Sequence, residues 1–174
     1  DPAADMLATV SALGGVVPNA KFMGGREYGL IAGEGRHDAA REDIAVVIAS
    51  GALALPSFAE QGGAFPFRKG GILGALPERP AARVALADLY EALMTDDMLD
   101  RLGADAGPLV VEGSFGGNAA LCGVLAALRP GQPVEAAETA TGTARGAAML
   151  ARWPEGFARE PVRRVEPWEV PGLA

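Results

Sequence analysis

The chain has 174 residues, of which 49% are hydrophobic, 21% are charged and only 6% are aromatic. This composition excludes a disordered chain, and the length suffices to bury a core without disulfides or structural metals. There are 15 Lys and Arg residues against 22 Asp and Glu residues, which gives a net charge of −7 with no basic block. Nucleic acid is therefore not an expected partner, because its binding depends on a basic face.

Cysteine usage and the apolar runs indicate a cytoplasmic protein. The single cysteine, Cys122, cannot form an internal disulfide, and with one histidine it cannot build a Cys/His zinc site. The longest apolar run, 44–59, is interrupted by Ser, Gly and Pro and is shorter than the about 20 residues of a membrane span. We expect a reducing cytoplasm and no membrane partner. The chain starts at Asp1 without an initiator Met, so we also expect it to be a piece of something longer.

The first half predicts short elements separated by glycines and prolines. A strand is predicted over 16–23, and a brief helix that begins at Arg26 and ends near Gly33. Residues 43–49 fit either a helix or a buried strand, because periodicity does not separate the two in a short apolar run. Residues 56–80 are so rich in Pro and Gly that we expect a long irregular connection, of a kind that is usually functional.

The clearest helix is predicted over 81–102, with Gly103 as its C-cap. Its apolar stripe has helical spacing and consists of Leu86, Leu89, Tyr90 and Leu93. Within it, residues 95–97 could instead cap a second short helix, and this alternative stays open.

The last third alternates strands and helices. We predict a buried strand, a helix, a second strand and a last helix, over 108–113, 118–128, 134–137 and 143–152. Such alternation predicts an α/β domain with parallel strands, whose ligands bind at the carboxyl ends of the strands. The turn after Val111 is therefore the first place to search for a site. From 154 to 174 we expect an extended tail, with Trp153 and Trp168 available for docking.

That turn has the sequence Glu-Gly-Ser-Phe-Gly-Gly-Asn over residues 112–118. Its three glycines let the backbone approach a ligand closely, and Asn118 can cap the next helix, whose positive dipole end then faces a polar or anionic group. The competing interpretation is that the glycines only form a tight turn and Asn118 only caps.

Other chemistry-bearing residues favour structural interpretations. The P-loop, the complete G-x-G-x-x-G and the G-x-S-x-G motifs are all absent from the sequence. We expect His37 in a solvated loop and Cys122 in the core. The carboxylates Asp96, Asp97 and Asp100 are expected on a solvated helix face, with a metal site as the alternative. The glycine-rich segment 141–148 predicts close packing of a helix on a neighbour, with direct ligand contact as the alternative.

Four segments in this order resemble the carboxyl-terminal half of a carbohydrate kinase of the FGGY family. They are an apolar strand, a glycine-rich turn, a second strand and a helix that opens with Gly-Ala-Ala, at 109–113, 116–118, 132–134 and 143–148. Upstream, 18–28 (PNAKFMGGREY) resembles a branch of these kinases that includes relatives of fuculose and rhamnulose kinases. The resemblance spans roughly residues 16–152.

The resemblance implies a ribonuclease-H-like domain of the actin/hexokinase ATPase type, with a central mixed sheet and flanking helices. Residues 1–174 would form one domain, the second and nucleotide-binding half of a two-domain kinase that uses ATP and Mg²⁺. Such a kinase phosphorylates a small sugar, a ketose or polyol. The catalytic Asp and the phosphate loop would belong to a missing amino-terminal kinase domain, so this chain alone is expected to be inactive.

The resemblance also implies an adenosine pocket formed by the turn before the second helix, at Gly113, Ser114, Gly116, Gly117 and Asn118. Many family members have three consecutive glycines directly after the strand, whereas this sequence has Gly113, Ser114 and Phe115. The adenine therefore has two alternative places, against Gly113 and Ser114 or against Gly116 and Gly117. Phe115 could stack on the base or fill the core.

Two hypotheses from other classes remain. One is a non-catalytic actin-like module for interaction or assembly, and the other is a standalone binding protein for a small metabolite. Apolar surface left where a first domain should dock would favour self-association, so a homo-oligomer is a further expectation.

Overall fold

The computed structural model describes residues 2–34, 38–59, 62–139, 141–153 and 161–173. Within them lie five α-helices, seven strands and two short 3₁₀ turns, and the fold is mixed α/β. In chain order the elements are β1 (Met6–Val10), β2 (Val16–Ala20), α1 (Gly24–Ala32), α2 (Arg41–Ser50), β3 (Leu53–Leu55), β4 (Gly71–Leu73), α3 (Pro80–Leu102), β5 (Leu109–Val111), α4 (Ala119–Leu128), β6 (Val134–Ala137), α5 (Gly142–Leu150) and β7 (Val162–Arg164).

Helix α3 forms the centre of the fold and packs against α1, α2 and α4. Pro80 occupies its first turn, where the missing N–H costs nothing, and Gly103 ends it in the left-handed conformation at φ +65°. The predicted helix and its C-cap are therefore confirmed. The alternative break at 95–97 is wrong, because α3 is continuous across these residues. Leu86 and Ala92 on this helix are fully buried.

The strands form three small sheets. Strand β5 pairs in parallel with β6, as the alternation of elements predicts, and β7 pairs antiparallel with β6, so this three-stranded sheet is mixed. The other strands form two separate antiparallel pairs, β1 with β2 and β3 with β4. The expected central mixed sheet is thus small.

Strand β5 corrects one prediction. The apolar run 108–113 was expected to be a buried strand, but β5 lies at the edge of its sheet and Val110 is 45% exposed. An apolar run of this length does not by itself distinguish a buried strand from a strand at the edge of a sheet, whose side chains are only partly covered.

Several local predictions are settled by the described elements. The strand expected over 16–23 is β2, the helix expected from Arg26 is α1, and residues 43–49 belong to a helix, α2. In the described part of the irregular connection 56–80 there is one strand, β4, which returns to pair with β3. Strand β1 is missing from the sequence-based prediction.

The β1–β2 hairpin carries an exposed apolar face. Val10 and Val16 face each other across the two strands next to the connecting turn, and each is 73% exposed. Leu13 in the connecting turn is also exposed. None of the helices in the described ranges is long and apolar enough to cross a membrane.

Helix α5 corrects a second prediction. No residue of α5 is buried, and a Cβ added to Gly146 would meet no atom within 4 Å. Close packing is present at Gly142, where an added Cβ would lie 2.6 Å from the Glu112 carboxylate, but the rest of α5 buries no side chain against a neighbour.

Residues 161–173 of the expected tail return to the body of the molecule. Strand β7 joins the mixed sheet, and Val165 and Val170 enter the core. Trp168 packs against Gly123 of α4 and Arg41 lies over its ring, so one of the two expected docking tryptophans is an internal contact. Trp153 is exposed. Residues 154–160 lie outside the described ranges, as does His37.

Candidate functional site

The turn between β5 and α4 is a short 3₁₀ helix over Gly113–Gly117. Gly113 opens it at φ +72°, a left-handed conformation that a side chain disfavours. Gly116 is buried, and a Cβ there would lie 3.0 Å from the carbonyl oxygen of Val111 and 3.1 Å from that of Ala137. The turn is therefore held tightly against the ends of β5 and β6.

Asn118 links this turn to two helices. Its side-chain Oδ1 accepts a hydrogen bond from the backbone N–H of Leu121 at 3.0 Å, so the predicted N-cap of α4 is confirmed. Its Nδ2 donates to Oδ1 of Asp88 on α3 at 2.6 Å. Both ends of the amide are thus used, and the orientation of Asn118 is fixed.

An open cavity of about 660 Å³ lies between this turn, α1 and the first half of α3. Its size falls within the range of small-molecule sites. The lining residues are Gly25, Tyr28, Gly29, Ala32, Gly33, Asp38, Val84, Ser114, Phe115, Gly117 and Asn118. A smaller cavity of about 170 Å³ shares Tyr28, Asp38 and Asn118 with it and extends to Asp88.

Bare backbone forms much of the cavity wall. A Cβ added at Gly25, Gly29 or Gly117 would meet no atom within 4 Å. Gly25 and Gly29 lie one helical turn apart on α1, so they share a face, and Gly117 lies on the opposite wall. A ligand can therefore approach the backbone from both sides, and added side chains would occupy its space.

An aromatic pair joins the two walls. The rings of Tyr28 and Phe115 meet edge to face with their centroids 5.7 Å apart and an interplanar angle of 66°. Phe115 also packs against the hydrophobic core. It therefore serves the core and lines the cavity at once.

Asp88 is the buried charge of the site, with only 1% of its surface exposed. Burial raises the pKa of Asp88 from 3.8 to about 6, although hydrogen bonds from Asn118 and Tyr28 act in the opposite direction. Burial and the adjacent Asp88 carboxylate raise the pKa of Tyr28 above its usual value. The Tyr28 hydroxyl therefore stays protonated, and it lines the same small cavity as Asp88.

The structure brings three of the five predicted site residues to the cavity, namely Ser114, Gly117 and Asn118. Gly113 shapes the turn through its positive φ, and Gly116 lies buried beneath it. Whether these residues bind a nucleotide stays a prediction.

The sequence analysis did not predict the wall of the cavity that α1 forms. Gly25 and Gly29 have the four-residue spacing that aligns them on a helix, and Asp88 is a carboxylate within the otherwise apolar run 84–90 of α3. Those two features are the signals that could have indicated the wall. The partnership of Asp88 with Asn118 spans 30 positions, which no local pattern reveals.

The other candidate residues have structural partners. Asp96 and Asp100 pair with Arg129, and Asp97 pairs with Arg101. Among the described residues, no group of three or more His, Cys, Asp and Glu side chains is placed to hold a metal ion. Cys122 is fully buried in the core, as predicted, and burial raises the pKa of its thiol.

Comparison with known proteins now identifies the family. Residues 1–160 match the family described as "Carbohydrate kinase FGGY, C-terminal domain". The chain belongs to this family. The recognition made from the motifs is thereby confirmed at the level of the family, and the mixed α/β fold agrees with it.

A solved structure gives the same result. The crystal structure of a carbohydrate kinase from Novosphingobium aromaticivorans superimposes with a TM-score of 0.84 at 30% sequence identity. The match covers 98% of this chain and 38% of that kinase, so the chain spans well under half the length of its solved relative. The comparison with curated proteins found no match.

The cavity has the volume and the bare backbone, at Gly25, Gly29 and Gly117, that a small organic ligand needs. The charged side chains of this cavity and of the smaller one beside it, Asp38 and Asp88, are both acidic, which favours a neutral group with hydrogen-bond donors over a phosphate.

Proposed function

We propose that the chain is the ATP-binding half of a carbohydrate kinase that transfers the γ-phosphate of ATP to a hydroxyl of a small sugar. The observation that carries the proposal is the cavity between α1 and the turn Gly113–Gly117, in a chain of the FGGY carboxyl-terminal family. The adenosine lies in this cavity, against Ser114, Gly117 and Asn118 on one side and Gly25 and Gly29 on the other.

The fold type, the sugar, the branch of the family and the cofactors of the proposed kinase follow from the family. The fold is of the ribonuclease-H-like type found in actin and hexokinase, formed by residues 1–174 as one domain. The sugar is a ketose or polyol, the branch is that of the fuculose and rhamnulose kinases, and the cofactors are ATP and Mg²⁺. The single cysteine favours a cytoplasmic location.

The proposed kinase needs an amino-terminal domain. Phosphoryl transfer requires the sugar, the nucleotide and the metal ion to be held in register, and this chain matches only 38% of the solved kinase. We therefore expect no sugar phosphorylation from the chain alone, and full activity only when the first domain is present.

One observation favours the alternative, a non-catalytic actin-like module for assembly. The apolar face of the β1–β2 hairpin, with Val10 and Val16 exposed, is a surface that a second copy or a first domain could cover. An assembly module would self-associate without binding nucleotide, whereas the kinase half binds nucleotide whatever its oligomeric state.

A cavity-filling substitution tests the proposal. Gly29→Leu places a side chain in open space on α1 and into the cavity, and Leu has a higher helix propensity than Gly. We expect titration calorimetry with ATP and Mg²⁺ to show binding by the wild-type chain and none by Gly29→Leu, with thermal stability retained.

The matched control is Gly146→Leu, which makes the same change in open space on α5, away from the cavity. It should bind nucleotide as the wild type does. Equal binding by Gly29→Leu and the wild type would disprove the location, and no binding by the wild-type chain at millimolar ATP would disprove the function.

A further inference from the structure

One buried carboxylate connects both walls of the cavity. Asp88 lies in the middle of α3, between α1 and the start of α4, and is 1% exposed. It accepts a hydrogen bond from Nδ2 of Asn118 at 2.6 Å and interacts with the hydroxyl of Tyr28. These two partners belong to opposite walls of the cavity.

Each of these two partners of Asp88 also restricts the position of the turn Gly113–Gly117. Asn118 follows the last residue of the turn and caps α4 through Leu121. Tyr28 contacts Phe115, at the middle of the turn, edge to face. Asp88 thus fixes the turn at two points, once at its end and once at its centre.

We propose that Asp88 is a positioning residue for the nucleotide: it holds Asn118 and Tyr28 together and so sets the distance between the turn and α1. The proposal rests on the proposed function for the identity of the ligand. Asp88 acts through its two partners, since it is buried beneath them. Without its carboxylate, Asn118 would keep its cap but lose the anchor on α3, and Tyr28 would lose its acceptor.

The charge state of Asp88 follows from the groups that face it. Asn118 at the start of α4 donates to it and Tyr28 on α1 lines the same small cavity, while Asp38, Glu91 on α3 and Cys122 on α4 are the other titratable groups nearby. Burial raises the pKa of Asp88 to about 6. The ionised acceptor is therefore present above about pH 6 and is lost below it.

The first test needs no ligand. In nuclear magnetic resonance spectra, the side-chain NH₂ signals of Asn118 should shift with a midpoint near pH 6, because Nδ2 donates to the carboxylate that titrates there. The transition should disappear in Asp88→Asn. Side-chain signals of Asn118 that are the same in the wild type and in Asp88→Asn at every pH would overturn the proposal.

The second test measures binding of adenosine, which carries no group that titrates between pH 5 and 8. At pH 7.5, Asp88→Asn should weaken binding about tenfold, the size expected when a charged acceptor is replaced by a neutral one. Wild-type affinity should fall as the pH is lowered through about 6, whereas that of Asp88→Asn should not change. A merely structural role would not produce this pH profile.

The control variant is Asp97→Asn, on the same helix, whose carboxylate pairs with Arg101 at the surface. It should retain wild-type affinity and pH profile. If Asp88→Asn does not fold, Tyr28→Phe replaces it, since this variant keeps the ring on Phe115 and removes only the hydroxyl. We expect it to weaken binding about threefold, the effect of one hydrogen bond.

Wild-type affinity for adenosine from Asp88→Asn or, if that variant does not fold, from Tyr28→Phe would overturn the positioning role. If the wild-type chain binds neither adenosine nor ATP, the proposed function fails, and the Asn118 signal alone then decides whether Asp88 holds the turn.

Discussion

Two glycine-rich segments of this chain are similar in composition and opposite in environment. In the turn Gly113–Gly117, Gly116 is enclosed by backbone atoms of Val111 and Ala137. In helix α5, no residue is buried and Gly146 faces open space. Glycine content therefore indicates a site only where the structure around it leaves no room for a side chain or directs the bare backbone into a cavity.

The connections to α3 explain the difference. The turn is tied to this central helix through Asn118 and Asp88, and to α1 through Phe115 and Tyr28. Helix α5 has no buried residue to hold it against the core. If the comparison is right, an added side chain is costly at Gly116 of the turn and is tolerated at Gly146 of α5.

The largest effect is expected for Asn118→Ala. It removes the cap of α4 and leaves the buried Asp88 without its closest donor, which together cost about 2–4 kcal/mol of unfolding free energy. Urea denaturation measures this. Asn118→Ser, which keeps a capping oxygen, should lose about half as much; wild-type stability in Asn118→Ser would show that the contact with Asp88 contributes nothing.

Gly116→Ala comes next. The added methyl would lie 3.0 Å from one backbone carbonyl oxygen and 3.1 Å from another, so the turn must shift, at about 1–3 kcal/mol. Denaturation of this variant beside Gly117→Ala, where a Cβ meets no atom within 4 Å, checks the prediction. A neutral effect of Gly116→Ala would show that the turn is as loosely held as α5.

The contribution of α3 to the stability of the fold should also depend on pH, whereas that of α5 should not. Burial and the carboxylates of Glu27 and Asp88 raise the pKa of Glu91 from 4.5 to about 8. Because the folded-state pKa is the higher one, this group's stabilisation is complete below about pH 4.5 and is lost as the pH rises through about 8. Asp88 acts in the same direction up to about pH 6.

Thermal unfolding at pH 5, 6.5 and 8 tests this dependence. The melting temperature should fall toward pH 8 in the wild type and fall less in Glu91→Gln. Asp97→Asn, a surface change on the same helix, should retain the wild-type slope. A slope that Glu91→Gln leaves unaltered would contradict the assignment.

The smallest effect is expected for Gly146→Ala. An alanine in open space within a helix should raise the unfolding free energy by about 0.5–1 kcal/mol. Denaturation would contradict the comparison if the variant were clearly destabilised, since that would place Gly146 against a neighbour.

Local patterns predicted much of the fold and half of the site. Helix α3 with its Gly103 cap, α4 with its Asn118 cap, and the parallel pair of β5 and β6 all follow from short-range signals. The exposure of Val110 and of α5 does not, because an apolar or small-residue run has the same sequence at an edge as in a core.

The wall of the cavity that α1 forms could not be predicted from the sequence for a different reason. Gly25 and Gly29 approach the turn only because α1 and α4 pack on the same central helix. The contact between Asp88 and Asn118 is likewise made by tertiary packing. A single sequence gives the elements, while the pairing of distant polar residues requires the structure.

Chemical-shift mapping with ATP and Mg²⁺ tests the central claim most directly. We predict that backbone amide signals shift across 113–118 and at Gly25 and Gly29, and that those across 142–150 do not. Unchanged signals at 113–118 with millimolar nucleotide, or shifts confined to 142–150, would contradict the account.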